Sequence, residues 1–167
     1  MTFRCEPLGA QDLADFDCGN DELSTGLIRH AHTATGHGTR TTIVIDDETG
    51  CVAGYFAIAP HLLERDALPR SVARGALREI PAVLLAKLAL SRELHGSGLG
   101  AELLVAALRE IVRAARIAGG KLVVVDAIDE AAAAFYEHHD FKRVTGRADR
   151  LVMKLSSVAR ALGEPWP

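Results

Sequence analysis

The feature that most constrains the fold is a glycine-rich turn that separates an apolar segment from a long amphipathic one. The apolar segment, residues 84–90, has the composition of a buried strand, and the turn contains Gly96, Gly98 and Gly100. A glycine turn that opens a helix exposes backbone N–H groups and the positive end of the helix dipole, both of which favour an anion. The sequence therefore predicts that this turn binds the pyrophosphate of a nucleotide or coenzyme.

Three kinds of phosphate-binding loop can be compared with this turn. A Walker loop has Lys and then Ser or Thr after its last glycine, whereas Gly100 is followed by Ala101 and Glu102. A dinucleotide fingerprint fits the residue types at 96–101, but too few residues follow for the rest of a doubly wound sheet. The third kind, the pyrophosphate loop of an acyl-coenzyme A-dependent transferase, is favoured by the downstream sequence. A glycine turn without a ligand is the remaining alternative.

The downstream sequence contains a second motif. Residues 121–127 have the composition of a buried strand, after which Asp129 is placed to cap a short helix over residues 131–138. The aromatic pair Phe135 and Tyr136 lies near the end of that helix. A strand, a capped helix and an aromatic pair therefore follow the glycine turn in that order.

Together the two motifs resemble those of the GNAT superfamily, the Gcn5-related N-acetyltransferases. The pyrophosphate motif of that superfamily, Gln/Arg-x-x-Gly-x-Gly/Ala, matches residues 95–100, except that His95 replaces Gln or Arg. The later motif of the superfamily is Asn-x-x-Ala-x-x-Phe-Tyr-x-x-x-Gly-Phe. This chain has Asp129 where the motif has Asn and Asp140 where it has Gly. The residues that align with it are Asp129, Ala132, Phe135, Tyr136 and Phe141.

Further segments resemble one branch of the superfamily, the TacT-like GNAT toxins of bacterial toxin–antitoxin modules. These segments are residues 16–23, 52–56 and 80–90, and the whole resemblance extends from residue 5 to 155. It implies an acetyl-CoA-dependent N-acetyltransferase that acetylates the α-amino group of aminoacyl-tRNA and blocks translation. It also implies a ribbon-helix-helix antitoxin as partner, a homodimer and a cytoplasmic location.

The resemblance implies one GNAT domain over residues 1–155, followed by a tail at 156–167 that we expect to be loosely attached. The fold class that it implies is α/β (α+β), with a mixed, mostly antiparallel central sheet, splayed central strands and flanking helices. Periodicity and turn residues agree with this fold. They predict strands at 3–8, 41–45, 51–59, 83–90, 121–127 and around 151–155, helices at 21–34, from 99 to Gly119 and at 131–138, and a connection with helical potential at 61–79.

The same resemblance assigns the coenzyme site by position in the motifs. Backbone groups of the central strand are expected to bind the pantetheine arm and thioester, and the turn to bind the pyrophosphate. With two residues of the later motif, the expected site is Leu88, Ala89, Leu90, His95, Gly96, Ser97, Gly98, Leu99, Gly100, Ala101, Asp129 and Phe135. A partly protonated His95 would brace the pyrophosphate.

Tyr136 corresponds to the tyrosine that stands beside the coenzyme sulfur in the superfamily. Its phenol is the expected general acid for the departing thiolate, and a purely structural core aromatic is the alternative. No side chain stands out as the general base, so deprotonation of the amine through water is expected. Gly54 is expected to mark a bulge or a close backbone approach in its strand.

Charge is unevenly distributed along a chain whose net charge is −3. Residues 1–60 contain 3 Lys or Arg and 9 Asp or Glu, whereas residues 61–125 contain 10 and 6. A local basic surface near the coenzyme turn would suit the phosphates of tRNA, and an ordinary solvated surface is the alternative. The resemblance favours four basic residues as tRNA contacts: Lys87, Arg92, Arg74 and Arg78.

Other features exclude or leave open several classes of function. Three cysteines without paired spacing indicate free thiols, the histidines lack the spacing of a metal site, and no apolar run approaches the ~20 residues of a membrane span. Acetyl-CoA is therefore the expected co-substrate, without a metal. Two alternatives stay open: a GNAT acetyltransferase of a small amine or a protein N-terminus with no toxin role, and a catalytically idle acyl-CoA-binding module. Tyr136 and the intact turn argue against the idle module.

Overall fold

The computed structural model describes residues 2–167, so residue 1 of the expected domain lies outside the described residues. Within them the strands are β1 Phe3–Pro7, β2 Arg40–Asp46, β3 Val52–Glu64, β4 Glu79–Leu90, β5 Leu122–Asp126, β6 Lys142–Val144 and β7 Arg147–Lys154. The α-helices are α1 Asp21–Thr25, α2 Ala31–Gly36, α3 Arg70–Ala73, α4 Leu99–Ala118, α5 Glu130–His138 and α6 Leu155–Leu162. A π-helical turn at Gly26–His30 joins α1 to α2, and 3₁₀ turns lie at Arg65–Ala67 and Arg92–Leu94.

The strands form a mixed sheet in the order β1-β2-β3-β4-β5-β7-β6. Four strand pairs are antiparallel, β1 with β2, β2 with β3, β5 with β7 and β6 with β7, whereas β4 and β5 are parallel. β4 pairs with β5 from Ala82 to Leu85 and runs on for five residues past that point. The expected α/β fold class with a mostly antiparallel sheet is confirmed.

Contacts between Cα atoms divide the chain into two compact units, the first of which contains residues 2–59 and 86–107. Its core surrounds Tyr55, whose ring meets Phe16 edge to face with the centroids 5.6 Å apart. The Tyr55 hydroxyl donates a 2.6 Å hydrogen bond to the carbonyl of Leu23. The segment that resembles the toxin branch, residues 16–23, therefore builds this core through Phe16, Cys18 and Leu23.

Gly54 stands where two backbones approach closely in the first unit. A Cβ atom on this residue would lie 2.7 Å from the carbonyl oxygen of Ala89, a separation that no side chain tolerates. Beside it the register shifts, because Val44 pairs with Gly54 while Ile45 pairs with Val52. Both the close approach and the bulge that the sequence left open are thus present.

The second unit contains residues 60–85 and 108–167. One core cluster of buried residues joins the end of β3, the segment around α3 and strands β4 to β7: Leu63, Leu68, Val72, Ile80, Ala82, Leu122, Val124, Val144 and Val152. Two sequence expectations are corrected here. β3 extends to Glu64, where a connection was expected, and Leu155 begins α6, where an alternating strand was expected.

A single predicted helix at 21–34 is also corrected in the first unit, because the π-helical turn interrupts it between Thr25 and Ala31. Asn20 caps α1 by accepting a 3.0 Å hydrogen bond from the N–H of Leu23. The π-helical turn has no side-chain cap of its own. Such single turns inside α-helices are rare and occur frequently at functional sites.

The C-terminal residues are not loosely attached, contrary to the sequence expectation. α6 buries Leu155, Val158 and Ala159. Beyond it, the carboxylate of Glu164 accepts a 2.9 Å hydrogen bond from Arg109 and lies within 3.5 Å of two further guanidinium groups of α4, those of Arg113 and Arg116. These three arginines of α4 therefore hold the segment that follows α6.

We expect Glu164→Gln to lower the thermal midpoint at neutral pH. A hydrogen bond from Arg109 holds the pKa of Glu164 below its ordinary value, with smaller contributions from Arg116 and Arg113. A depressed carboxyl pKa adds stability above the unfolded value of about 4.3, and this stability is lost as the pH falls through the lower folded value. The two midpoints should therefore differ near pH 7 and converge in acid, as followed by circular dichroism.

Glu110→Gln provides the matched control for that comparison. Glu110 is exposed on the same helix and has no hydrogen-bond or ion-pair partner among residues 2–167. The control should leave the midpoint unchanged at every pH. A Glu164 variant that behaved like the control would show that the arginine contacts add no stability.

Candidate functional site

The glycine turn lies between the 3₁₀ turn after β4 and the start of α4. Gly96 and Gly98 have φ angles of +78° and +80°, a region that residues with a Cβ rarely adopt. Open space surrounds both Cα atoms, so the exposed backbone of the turn is accessible to a ligand. Because α4 begins at Leu99, the first N–H groups of a 20-residue helix point out of its N-terminal end without helical acceptors. The geometry suits an anion, as the sequence predicted.

Two side chains fasten this turn to the end of β4. The Nε2 atom of His95 lies 2.9 Å from the carbonyl oxygen of Leu90, and Ser97 donates a hydrogen bond to the carbonyl of Leu94. A carbonyl only accepts, so the His95 proton is on Nε2 and the free ring nitrogen is Nδ1. Contact between His95 and a pyrophosphate stays a prediction. Because phosphate oxygens only accept, Nδ1 would need a proton of its own to make that contact.

The expected thioester strand, Leu88 to Leu90, belongs to the part of β4 that continues past its pairing with β5. Ala89 is buried and directs its carbonyl at Gly54, whereas Leu88 and Leu90 are half-buried. The Leu90 carbonyl already accepts a hydrogen bond from His95. Contact between the pantetheine arm and the backbone of Leu88 to Leu90 stays a prediction.

The N-terminal motif packs directly against the turn. The backbone N–H of Arg92 donates a 2.8 Å hydrogen bond to the carbonyl of Asp17, and the Arg92 guanidinium lies 3.5 Å from the Asp17 carboxylate. Gly19 has a φ of +85°, and a Cβ there would stand 3.6 Å from Arg92 and 3.7 Å from the ring of His95. Sequence reasoning singled out this motif as a family feature but missed that it supports the turn.

Asp129 and its helix in the second unit follow the sequence prediction closely. The Asp129 carboxylate accepts a 2.8 Å hydrogen bond from the N–H of Ala132 and so caps α5. Asp140 ends the helix with a φ of +71°, the only positive φ of a residue other than glycine among residues 2–167. This conformation explains why the superfamily motif has Gly where this chain has Asp.

Tyr136 has a buried ring and a hydroxyl without a hydrogen-bond partner among residues 2–167. The ring packs edge to face against Phe135 and Phe141, with centroid distances of 5.3 and 5.4 Å. Within residues 2–167 the hydroxyl has no hydrogen-bond partner, and no sealed side-chain oxygen or nitrogen lacks one, so this oxygen is open to solvent. Burial raises the pKa of Tyr136 above its ordinary value, so the phenol is protonated at neutral pH.

Tyr55 provides an informative contrast with Tyr136. Burial also raises the pKa of Tyr55, but its hydroxyl is committed to the carbonyl of Leu23. The chain contains two tyrosines, and each has a different kind of hydroxyl. The available phenol of Tyr136 has the properties of a proton donor, whereas that of Tyr55 holds the core of the first unit together.

A charged cluster that the sequence did not reveal lies in the second unit. Arg150 donates hydrogen bonds of 2.7 and 2.8 Å to the two carboxylate oxygens of Asp126, and its third nitrogen lies 3.1 Å from Nε2 of His61. Burial lowers the pKa of His61, and the positive charge of Arg150 lowers it further by a smaller amount. His61 is therefore neutral, with its lone pair directed at Arg150, and it is not available as a general base.

The four residues expected to contact tRNA are distributed over both units. Lys87 and Arg92 lie in the first unit, on β4 and in the 3₁₀ turn that follows it. Arg74 and Arg78 are exposed in the second unit, and Arg74 lines an open cavity of about 750 Å³ together with Arg65 and Arg70. Whether these residues contact RNA stays a prediction.

The described residues contain neither a metal-ligand cluster nor a helix suited to a bilayer. No group of three or more His, Cys, Asp or Glu side chains in residues 2–167 is arranged to hold a metal ion. Over the same residues, none of the helices has the length and apolar character needed to span a bilayer.

Comparison with known proteins identifies relatives over nearly the whole chain, although no family model matches it. A tRNA-acetylating toxin of Mycobacterium tuberculosis (strain ATCC 25618 / H37Rv) is 33% identical over 156 residues, which cover 92% of this chain and 91% of the relative. The structure of AtaT complexed with acetyl-methionyl-tRNAfMet superposes with a TM-score of 0.85 at 28% identity, covering 96% of this chain and 99% of AtaT.

A second AtaT structure is a tyrosine-to-phenylalanine variant bound to the C-terminus of the antitoxin AtaR and to acetyl-CoA. It superposes with a TM-score of 0.81 at 26% identity and covers 97% of this chain and 99% of that one. The identity and coverage of the mycobacterial relative agree with the two motifs and the toxin-branch segments. The chain therefore belongs to the family of tRNA-acetylating toxins within the GNAT superfamily.

Proposed function

We propose that this protein transfers the acetyl group of acetyl-CoA to the α-amino group of an aminoacyl-tRNA and so blocks translation. The observation that carries the proposal is the 33% identity to a tRNA-acetylating toxin over 92% of the chain. The exposed glycine turn and the open phenol of Tyr136 support it, because acetyl transfer needs a coenzyme site and a proton donor. A cognate antitoxin restrains the activity, as the pairing of AtaT with AtaR suggests.

The coenzyme is held by backbone groups on β4 and at the start of α4. The N–H groups between Gly96 and Ala101 face the pyrophosphate, with Asp129 and Phe135 contributing to the rest of the site. Backbone groups of Leu88 to Leu90 hold the pantetheine arm. Few charged side chains are needed for this, because the helix dipole and the N–H groups already favour the phosphates.

The chemistry requires a neutral amine and a proton for the departing sulfur. The amine nitrogen attacks the thioester carbonyl carbon, a C–N bond forms, and the C–S bond breaks to release the thiolate of coenzyme A. The Tyr136 phenol gives its proton to that thiolate and regains one from solvent. The proton of the attacking amine leaves through water. His61 does not accept it, because its lone pair is occupied by Arg150.

The acceptor, its partners and its location complete the proposal. Lys87, Arg92, Arg74 and Arg78 contact tRNA phosphates, the antitoxin is a ribbon-helix-helix protein, and the toxin is a homodimer. The protein acts in the cytoplasm, where charged tRNA is found. Light scattering of the isolated protein tests the dimer.

Mass spectrometry of the acetylated product tests the function itself. Charged bulk tRNA and acetyl-CoA are incubated with the protein, the tRNA is deacylated, and the released amino acids are analysed. We expect at least one N-acetyl amino acid and a rate that falls steeply with salt, since phosphate contacts release counterions. Absence of any N-acetyl amino acid, with acetylation of added polyamines or peptides instead, would refute the toxin function in favour of a general N-acetyltransferase.

A further inference from the structure

Lys87 presents an ammonium group that the fold does not neutralise. The residue is half-buried on β4, and it has no hydrogen-bond or ion-pair partner among residues 2–167. A partly buried cation without a partner costs free energy that a salt bridge or a solvated surface position would avoid. The arrangement is therefore expected to have a use that the protein alone does not reveal.

The side chain of Lys87 crosses the π-helical turn at its first residue. A Cβ atom built on Gly26 would stand 3.4 Å from both Cε and Nζ of Lys87 and 3.7 Å from Cδ. Gly26 is buried, and an alanine methyl there would only touch the lysine head, so a longer side chain would occupy the space of the ammonium. The size of residue 26 therefore limits where the ammonium lies.

Local conformation does not explain a glycine at this position. Gly26 has φ of −55° and ψ of −44°, which are right-handed helical angles open to every residue. Glycine in a helix interior costs about 1 kcal/mol relative to alanine. The glycine and the rare π-helical geometry are thus both locally unfavourable, and both occur where the Lys87 side chain packs on the turn. Glycine leaves a gap beside the lysine head that an alanine methyl would just fill.

The other polar side chains of the π-helical turn are also basic. Arg29 and His30 are both exposed and have no partner among the described residues. Basic groups that lack carboxylate partners attract a chain of phosphates more strongly than a neutral surface. An RNA backbone is the anion that this protein is proposed to bind.

We propose that Gly26 and the π-helical turn position the Lys87 ammonium to bind a phosphate group of tRNA. The identity of the RNA rests on the proposed function, whereas the coupling between Gly26 and Lys87 comes from the contact itself. Gly26 is a positioning residue, because it acts through Lys87 and has no side chain with which to touch the ligand.

Binding of deacylated tRNA at several salt concentrations tests this proposal without requiring catalysis. Gly26→Val should push the ammonium aside, weaken binding roughly threefold to tenfold and reduce the salt slope by up to about 0.9, the value of one phosphate contact. Lys87→Met keeps the apolar stem, loses the charge and should have the same effect. In the Lys87→Met background, Gly26→Val should not weaken tRNA binding further, because the ammonium that Gly26 positions is already absent.

Gly36→Val is the matched control, because Gly36 is in the neighbouring α2 and has open space around it. It should bind tRNA like the wild type. Acetyl-CoA affinity, measured by calorimetry, should be the same in all variants. Where Gly26→Val does not fold, Gly26→Ala, with its single methyl at van der Waals distance from the lysine, should show a smaller loss in the same direction.

Several outcomes would overturn the proposal. Additive effects of the two substitutions would show that Gly26 acts independently of Lys87, and equal losses in Gly26→Val and Gly36→Val would indicate a nonspecific helix defect. Unchanged tRNA binding with weakened antitoxin binding would assign the basic group to an acidic protein segment. Loss of tRNA binding in the variants, combined with no N-acetyl product from the wild type, would refute the proposed function while supporting this positioning role.

Discussion

Tyr136→Phe is expected to lower the acetylation rate by roughly 10²–10⁴-fold, the range typical of losing a general acid. The substitution removes only the hydroxyl group, which has no hydrogen-bond partner among residues 2–167. The packing of the ring against Phe135 and Phe141 should therefore persist. Folding, acetyl-CoA affinity and tRNA affinity should therefore be close to those of the wild type. Single-turnover measurements with charged tRNA would separate the chemical step from binding.

Tyr55→Phe is the control that separates chemistry from stability. Its hydroxyl is buried and donates a 2.6 Å hydrogen bond to the Leu23 carbonyl, which also accepts from the N–H of Gly26. The substitution removes one buried hydrogen bond and should cost about 0.5–1.5 kcal/mol of stability. Its rate at a temperature where it is folded should equal that of the wild type. Full turnover by Tyr136→Phe would instead assign Tyr136 to packing and leave the thiolate to be protonated by water.

The features that sequence reasoning predicted well depend on neighbours along the chain. The Asp129 cap, the end of α4 before Gly119 and the positive φ angles in the turn each follow from local backbone requirements. Gly54 is a partial exception, since its contact with Ala89 is distant in sequence. A glycine inside an apolar strand is nevertheless a local signal of close approach.

The features that sequence reasoning missed depend on contacts between distant segments. Periodicity did not reveal that Glu164 would be held by arginines on α4, because a lone acid near a chain end has no characteristic pattern. The meeting of His61 with Arg150 spans 89 positions, and the packing of Lys87 on Gly26 joins a strand to a helical turn. Only the fold brings such groups together, so the sequence predicted Lys87 as a site residue but did not predict its contact with Gly26.

Gly98→Glu is expected to abolish measurable acetyl-CoA binding in calorimetry. The substitution combines two unfavourable effects at one position. A φ of +80° is costly for any residue with a Cβ, and the new carboxylate would stand among the N–H groups proposed to hold a pyrophosphate. At 4 Å, two like charges repel by about 4 kcal/mol near a protein surface, which corresponds to roughly a thousandfold in affinity.

Gly38→Glu separates backbone strain from charge repulsion. Gly38 has a φ of +98° and open space around it, and it belongs to the loop between α2 and β2, away from the turn in sequence. Both variants should lose a similar amount of thermal stability, because both force a side chain into the left-handed region. Only Gly98→Glu should lose acetyl-CoA. Retained affinity in that variant would mean that the pyrophosphate does not lie on this turn, and equal losses in both would attribute the effect to folding. Gly98→Ala, which brings the strain without the charge, should fall between the two and so measure how much of the loss comes from the carboxylate alone.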